Sequence, residues 1–170
     1  MLVTSGIDST LFYYDDGGNL TRKKVAINGL DGVKTFTYKY NIAGQCTLFY
    51  GAGNVNYHYD NFGRLKDIPD ILTSIKYNPA GLPVRNDYDN STRDTIAYDS
   101  RLRPKKIKVF DPEESILVSL TYAYEKNSNV DSIIDSVVTN NRQKFAYDSL
   151  NRLTNVYCPG GDQSFTYDKV

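Results

Sequence analysis

Tryptophan is absent from this 170-residue sequence, methionine and histidine occur once each, and cysteine occurs twice. Two thiols, Cys46 and Cys158, cannot staple a disulfide scaffold. Their spacing along the chain argues against a mutual bridge unless the fold closes on itself. The single imidazole, His58, has no second histidine or nearby cysteine with which to hold zinc. As a general base it would need a nucleophile and an orienting group, and the sequence identifies neither. Net charge is missing as well: 20 basic residues balance 20 acidic ones. A protein that grips nucleic acid electrostatically needs a basic stripe, and none stands out. No apolar run reaches the ~18 residues of a membrane-spanning helix. The opening residues 1–6 carry neither the basic nor the apolar region of a signal peptide.

What is present leans one way. Tyrosine occurs 15 times and phenylalanine 7 times, and threonine and valine recur; these residues suit a pleated, half-buried surface. Alanine, the best helix former, is sparse. Twelve glycines and many Asn and Asp residues supply frequent reversals. The expected fold class is all-β.

Comparing the chain with itself exposes a repeat. A β-former, one residue, Tyr and an acceptor side chain recur, as in Phe12-Tyr13-Tyr14-Asp15, Tyr57-His58-Tyr59-Asp60 and Phe145-Ala146-Tyr147-Asp148. The anchor tyrosines are Tyr14, Tyr40, Tyr59, Tyr77, Tyr98, Tyr124, Tyr147 and Tyr167, about 22 residues apart. Asp15, Asp60, Asp99 and Asp148 follow four of them, and Gly18, Gly44, Gly63 and Gly81 stand at the fourth position after Tyr. A residue that tolerates positive φ is needed there for a tight reversal. The turns at Arg101-Leu102-Arg103-Pro104 and Lys126-Asn127-Ser128-Asn129 lack that glycine. A second set of turns is expected at sites such as 29–32, 51–54, 111–114, 140–141 and 159–162.

Each repeat therefore reads as two strands and two reversals, stacked as successive antiparallel hairpins. Residues two apart share a face, so Leu120, Tyr122 and Tyr124 point away from Thr121 and Ala123. No such hairpin is stable alone, and neighbouring repeats must share surface. On this reading the anchor rings are buried and stacked. The whole chain, residues 1–170, is read as a single repeat domain of about seven repeats and the start of an eighth. Residues 1–10 are read as a disordered or incomplete leading strand.

The recurring acid is not a metal or acid–base array. Asn41, Asn78 and Glu125 replace it in other repeats; hard-metal binding or catalysis would miss the charge, whereas a turn needs only an acceptor oxygen. Asp15-Asp16 beside Gly17-Gly18 lacks the alternating ligand spacing of a calcium loop. The charge runs Arg22-Lys23-Lys24 and Arg103–Lys108 read as solvated strand faces that deter edge-to-edge pairing. Cys46 fills a slot that leucine holds in other repeats, as a small hydrophobe. No catalytic residue, cofactor or metal is expected.

Tyr59-Asp60-Asn61-Phe62-Gly63-Arg64-Leu65 resembles the signature of the YD-repeat, or RHS-repeat, family. Tyr147-Asp148-Ser149-Leu150-Asn151-Arg152-Leu153 is nearly as similar, with Asn151 where the family usually has glycine. The resemblance runs from about Phe12 to the end. It implies a curved or spiralling strip of antiparallel hairpins, part of the β-shell of large secreted or surface proteins such as bacterial polymorphic toxins, insecticidal toxin complexes and teneurins. It further implies a non-catalytic module that scaffolds or encloses a polypeptide such as a toxin, outside the cell or at its surface. The alternative is a carbohydrate-binding or adhesion module presenting outward tyrosines such as Tyr13, Tyr50 and Tyr88 to glycans. Expected partners are further repeats of a longer chain or an enclosed polypeptide, glycans on the alternative reading, and other copies through open sheet edges. Neither nucleic acid nor a membrane span is expected. The sequence is read as a piece of a longer array, and the family's self-cleavage is not carried over to it.

Overall fold

The computed structural model describes residues 8–27, 32–138 and 141–168. Residues 1–7 of the expected leading segment, and parts of the turns at 29–32 and 140–141, lie outside them. Ser9 and Thr10, by contrast, already belong to the first strand.

The chain divides into two compact units between Ile71 and Leu72. The first unit carries a five-stranded meander of β1 (Ser9–Tyr14), β2 (Leu20–Ala26), β3 (Lys34–Tyr40), β4 (Cys46–Tyr50) and β5 (Asn54–Asn56). It also carries a two-stranded hairpin of β6 (His58–Tyr59) and β7 (Leu65–Asp67). The second unit is one nine-stranded sheet. Its first strands are β8 (Leu72–Tyr77), β9 (Pro83–Tyr88), β10 (Arg93–Tyr98), β11 (Pro104–Phe110) and β12 (Ile116–Tyr124). It continues through β13 (Val130–Asp135), β14 (Arg142–Tyr147), β15 (Leu153–Tyr157) and β16 (Gln163–Ser164). Every pairing is antiparallel and between consecutive strands, and no sheet closes. The described residues contain no helix.

The turns follow the chemistry of the motif. Gly18, Gly44, Gly63 and Gly81 all have φ near +75° to +81°. The same left-handed position is taken by Leu102, Ser128 and Asn151 where glycine is missing. In each copy the amide at this position donates to the carbonyl of the residue after Tyr, as Gly63 does to Asp60 at 2.9 Å and Leu102 to Asp99 at 3.0 Å. The polar contacts of the turn hold the backbone strongly enough to force even a leucine into a conformation that disfavours a Cβ.

A β-bulge accompanies seven of the eight anchors. Register slips at Tyr14, Tyr40, Tyr59, Tyr77, Tyr98, Tyr124 and Tyr147, which oppose Leu20, Cys46, Leu65, Pro83, Pro104, Val130 and Leu153. The bulge leaves the seventh residue after these tyrosines, such as Thr21, Lys105 or Asp131, without a ladder partner, and the sixth, which opposes the tyrosine, starts the next strand. Proline is tolerated there twice because that place is the first residue of a strand.

Cross-strand pairs define two faces of the nine-stranded sheet. Ile96, Ile107 and Leu120 lie in one row, and Tyr122 with Ile133 in the next; with the anchors they make a tyrosine face. Thr95, Lys108 and Ser119, and Ala97, Lys106 and Thr121, lie on the opposite side.

The expectation that the anchor rings are buried and stacked is overturned. Among the described residues only Leu72, Ser119 and Ser132 are buried, and Tyr14 and Tyr167 are 61% and 45% exposed. The other six anchors are half-buried. The ring pairs of the first unit, Phe36–Phe49 and Tyr38–Phe49, involve no anchor. The reason is architectural. The second unit is a single layer, with no second sheet of its own to seal the rings against.

Candidate functional site

The recurring turn that opens with Tyr and an acceptor side chain, in its fullest form Tyr59-Asp60-Asn61-Phe62-Gly63-Arg64, gathers a set of specific polar contacts. Six of the eight anchor tyrosines reach backwards by one hairpin. The Tyr40 hydroxyl donates to the Leu20 carbonyl at 2.9 Å, and Tyr59 donates to that of Cys46 at 2.7 Å. In the second unit Tyr98 donates to Pro83 at 2.8 Å, Tyr124 to Pro104 at 2.7 Å, Tyr147 to Val130 at 3.0 Å and Tyr167 to Leu153 at 2.7 Å. Each acceptor is the residue that opposes the preceding anchor at its bulge. The bulge therefore presents a carbonyl, and the next repeat's phenol takes it.

The acid after Tyr builds the turn. Asp60 Oδ1 accepts from the amides of Phe62 and Arg64, both at 2.9 Å, and its Oδ2 accepts from Arg64 Nε at 2.8 Å. Asp99 does the same with Arg101 and Arg103, and Asp148 with Leu150 and Arg152. Asn41 holds the amides of Ala43 and Gln45 without any charge, both at 3.0 Å. Asp15 bonds the Asn19 amide at 2.8 Å. An acceptor oxygen is what these copies share, and Asn78, which takes the Leu82 amide at 2.9 Å, joins them.

Arginine then joins one repeat to the next. The Arg103 guanidinium is paired with Asp99 and lies 4.2 Å from the centre of the Tyr124 ring. Arg152 is paired with Asp148 and lies 4.6 Å from the centre of the Tyr167 ring. Both contacts are cation–π geometries.

These contacts fix the titration of both partners. Burial pushes the phenols of Tyr40, Tyr59, Tyr98, Tyr124 and Tyr147 above the usual tyrosine value. Hydrogen bonds hold Asp15, Asp60, Asp99 and Asp148 below the usual carboxylate value: chiefly Asn19 for the first, Arg64 and Arg103 for the next two, and the Arg152 amide for the last. A raised phenol stabilises the fold below its unfolded value and loses that contribution as pH climbs through its folded value. A depressed carboxylate stabilises the fold above its unfolded value and loses that contribution as pH falls through its folded value. Denaturant midpoints will therefore be highest across the neutral range and fall below about pH 4 and above about pH 10. Changing Asp60, Asp99 and Asp148 together to Asn will flatten the acid limb and leave the alkaline one.

The other residues singled out by sequence have structural surroundings. His58 Nδ1 lies 2.6 Å from Asp67 Oδ1, across the β6–β7 pair, and the imidazole is half exposed. Sequence reading missed Asp67, which strand pairing in the short hairpin from His58 to Asp67 could have revealed. Cys46 and Cys158 are free and half-buried; their thiols contact the carbonyls of Leu48 and Gly161. Of the three tyrosines considered for glycans, Tyr50 is exposed. Tyr13 lies under Arg22, with 4.2 Å from guanidinium to ring centre. Tyr88 donates to Asp94 at 2.6 Å, a bond that pushes its phenol up to about 12. No group of three or more metal-ligating side chains exists among the described residues. No helix of the described residues is long and apolar enough to cross a membrane.

The sequence matches no protein-family model and no curated protein. Solved structures do match. The crystal structure of TcdB2-TccC3-TEV superposes with a TM-score of 0.72 at 19% identity, over 86% of this chain and 9% of that one. The crystal structure of TcdB2-TccC3 gives 0.71 at 20% identity, with the same coverage. The Tc holotoxin pore of Photorhabdus luminescens, with a variant TccC3, gives 0.72 at 19% over 88% of this chain and 9% of that one. The chain thus spans about a tenth of the length of the proteins it matches. Its fold is the RHS-repeat strip of consecutive antiparallel hairpins that these toxin complexes contain.

Proposed function

We propose that residues 1–170 act as one structural array of YD repeats. Eight of its fifteen tyrosines are the repeat anchors, the acids after them are turn-builders, and Gly18, Gly44, Gly63 and Gly81 are the reversal points. Its role is to form part of a secreted or surface β-shell that scaffolds or encloses a polypeptide such as a toxin, without catalysis. The observation that carries this reading is the backward phenol–carbonyl bond, for example Tyr124 to Pro104 at 2.7 Å. It spends the motif's polar groups on joining hairpins and leaves the rest of the tyrosine face open to a guest. That face offers Ile96, Leu120, Tyr122, Ile133 and Phe145 in adjacent rows. Such a surface matches the apolar side chains that an unfolded polypeptide exposes. The fold shared with a Tc holotoxin supports the same reading.

The test uses a permanently unfolded probe, reduced and carboxymethylated α-lactalbumin. With this chain present, the probe is expected to be digested more slowly by trypsin and to cross-link to the tyrosine face. An unchanged digestion rate with no cross-links would remove enclosure from the proposal.

A further inference from the structure

The balanced net charge conceals a segregation. In the nine-stranded sheet, side-chain alternation sorts the strand charges by face. Lys76 and Arg85 pair across β8 and β9, Arg93 opposes Asp87, and Lys106 and Lys108 pair with Ala97 and Thr95. Lys144 opposes Ser132, and Arg142 opposes Ile134. All of these project from the side opposite the tyrosines. The only strand acid there is Asp87, already held by Arg85 and Ser74. Arg93 is held by Glu114, from a turn. Strand acids Asp94, Asp131 and Asp135 fall on the tyrosine face instead. Lys106, Arg142 and Lys144 make no ion pair among the described residues, and Lys108 lies only over the Phe110 ring.

The arrangement is two-dimensional. Cations recur on this face from β8 to β14, six strand spacings or about 29 Å, and those of β11 and β14 carry no ion pair among the described residues. A shallow groove of about 250 Å³ is lined by Lys106, Lys108, Thr95, Ile96, Ala97 and Phe110. Exposed apolar side chains are interspersed with the cations: Ile134 in the Lys106 row, and Tyr157 in the Lys144 row. A single nucleic-acid strand needs a linear track with stacking rings. A field of ammonium and guanidinium groups with aliphatic side chains among them fits a lipid surface, where headgroups supply the anions and the interface accepts the apolar atoms.

We propose that this basic face docks onto an anionic membrane surface. The inference is independent of the enclosing role, which uses the opposite face.

The test is co-sedimentation of the full chain with vesicles of phosphatidylcholine and phosphatidylserine in roughly a seven-to-three ratio. Binding is expected to those vesicles at low salt, to weaken steeply at high salt, and to be absent from pure phosphatidylcholine. Lys106→Gln, Lys108→Gln and Lys144→Gln should each weaken it about five-fold, and the triple variant on the order of a hundred-fold. Lys126→Gln, in a hairpin turn, should leave it unchanged. Glutamine keeps most of the aliphatic stem, so the melting temperature of each variant should match the parent; the salt dependence of the parent gives a readout that needs no variant. Equal binding to neutral and anionic vesicles, equal loss in Lys126→Gln, or binding of oligothymidylate in place of vesicles would overturn the proposal.

Discussion

Tyr147→Ala will destabilise the nine-stranded sheet by about 3.5 kcal/mol, and Tyr147→Phe by about 1 kcal/mol. The two figures separate the ring from its hydroxyl. Full burial of an aromatic ring covers ~150–250 Å². The half-buried Tyr147 covers roughly 100 Å² of that, about 2.5 kcal/mol at ~25 cal/mol per Å². The bond to the Val130 carbonyl, 3.0 Å long, adds about 1 kcal/mol. Phenylalanine keeps the first contribution and loses the second; alanine loses both. Tyr14 is the internal control: its ring is 61% exposed, and Tyr14→Ala should cost less than about 1 kcal/mol. Urea midpoints of the four proteins give the comparison. If Tyr147→Phe matches the parent, the phenol does not join repeats, and the bond is a by-product of strand register.

Much of this architecture was visible in the sequence because its signals are local. Tyr-Asp followed by glycine four residues after Tyr marks a reversal wherever it occurs, and alternation assigns faces strand by strand. The same turn persists at Leu102 and Ser128 without glycine. At Leu102 the acceptor side chain stands in for the glycine, with Asp99 holding two amides around it. At Ser128 the bond retained is the one from the Ser128 amide to the Glu125 carbonyl, 3.1 Å long. Two features were illegible. The acceptor of each phenol is set by a bulge in the preceding hairpin, so no property of Tyr98 itself points to the Pro83 carbonyl. The half-exposed state of the rings depends on how many layers pack together, which strand periodicity does not encode. The basic face was obscured for a different reason. Lys76, Lys108 and Lys144 are far apart in sequence, and strand register alone brings them to one side.

A proline at Thr121 will cost more than about 3 kcal/mol, whereas a proline at Val130 will cost less than about 1 kcal/mol. Thr121 sits inside β12, paired on one side with Lys106 and on the other with Ile134. Whichever way its amide points, a neighbouring strand takes that hydrogen, and proline has none to give. Val130 occupies the bulge position at which Pro83 and Pro104 already stand. Its contribution there is a carbonyl for the Tyr147 hydroxyl, and proline retains its carbonyl. A thick core could mask the difference, because burial would hold a damaged strand in place. With only Leu72, Ser119 and Ser132 buried among the described residues, this sheet draws its cohesion from the ladder and from contacts between adjacent hairpins. Such an array behaves as a chain of nearest-neighbour couplings. Breaking β12 therefore separates β8–β11 from β13–β16, and amide hydrogen exchange should show protection lost on the shorter, C-terminal side first. Uniform loss across all nine strands would mean that the sheet unfolds as one unit and that the hairpin-to-hairpin bonds are not what sets its cooperativity.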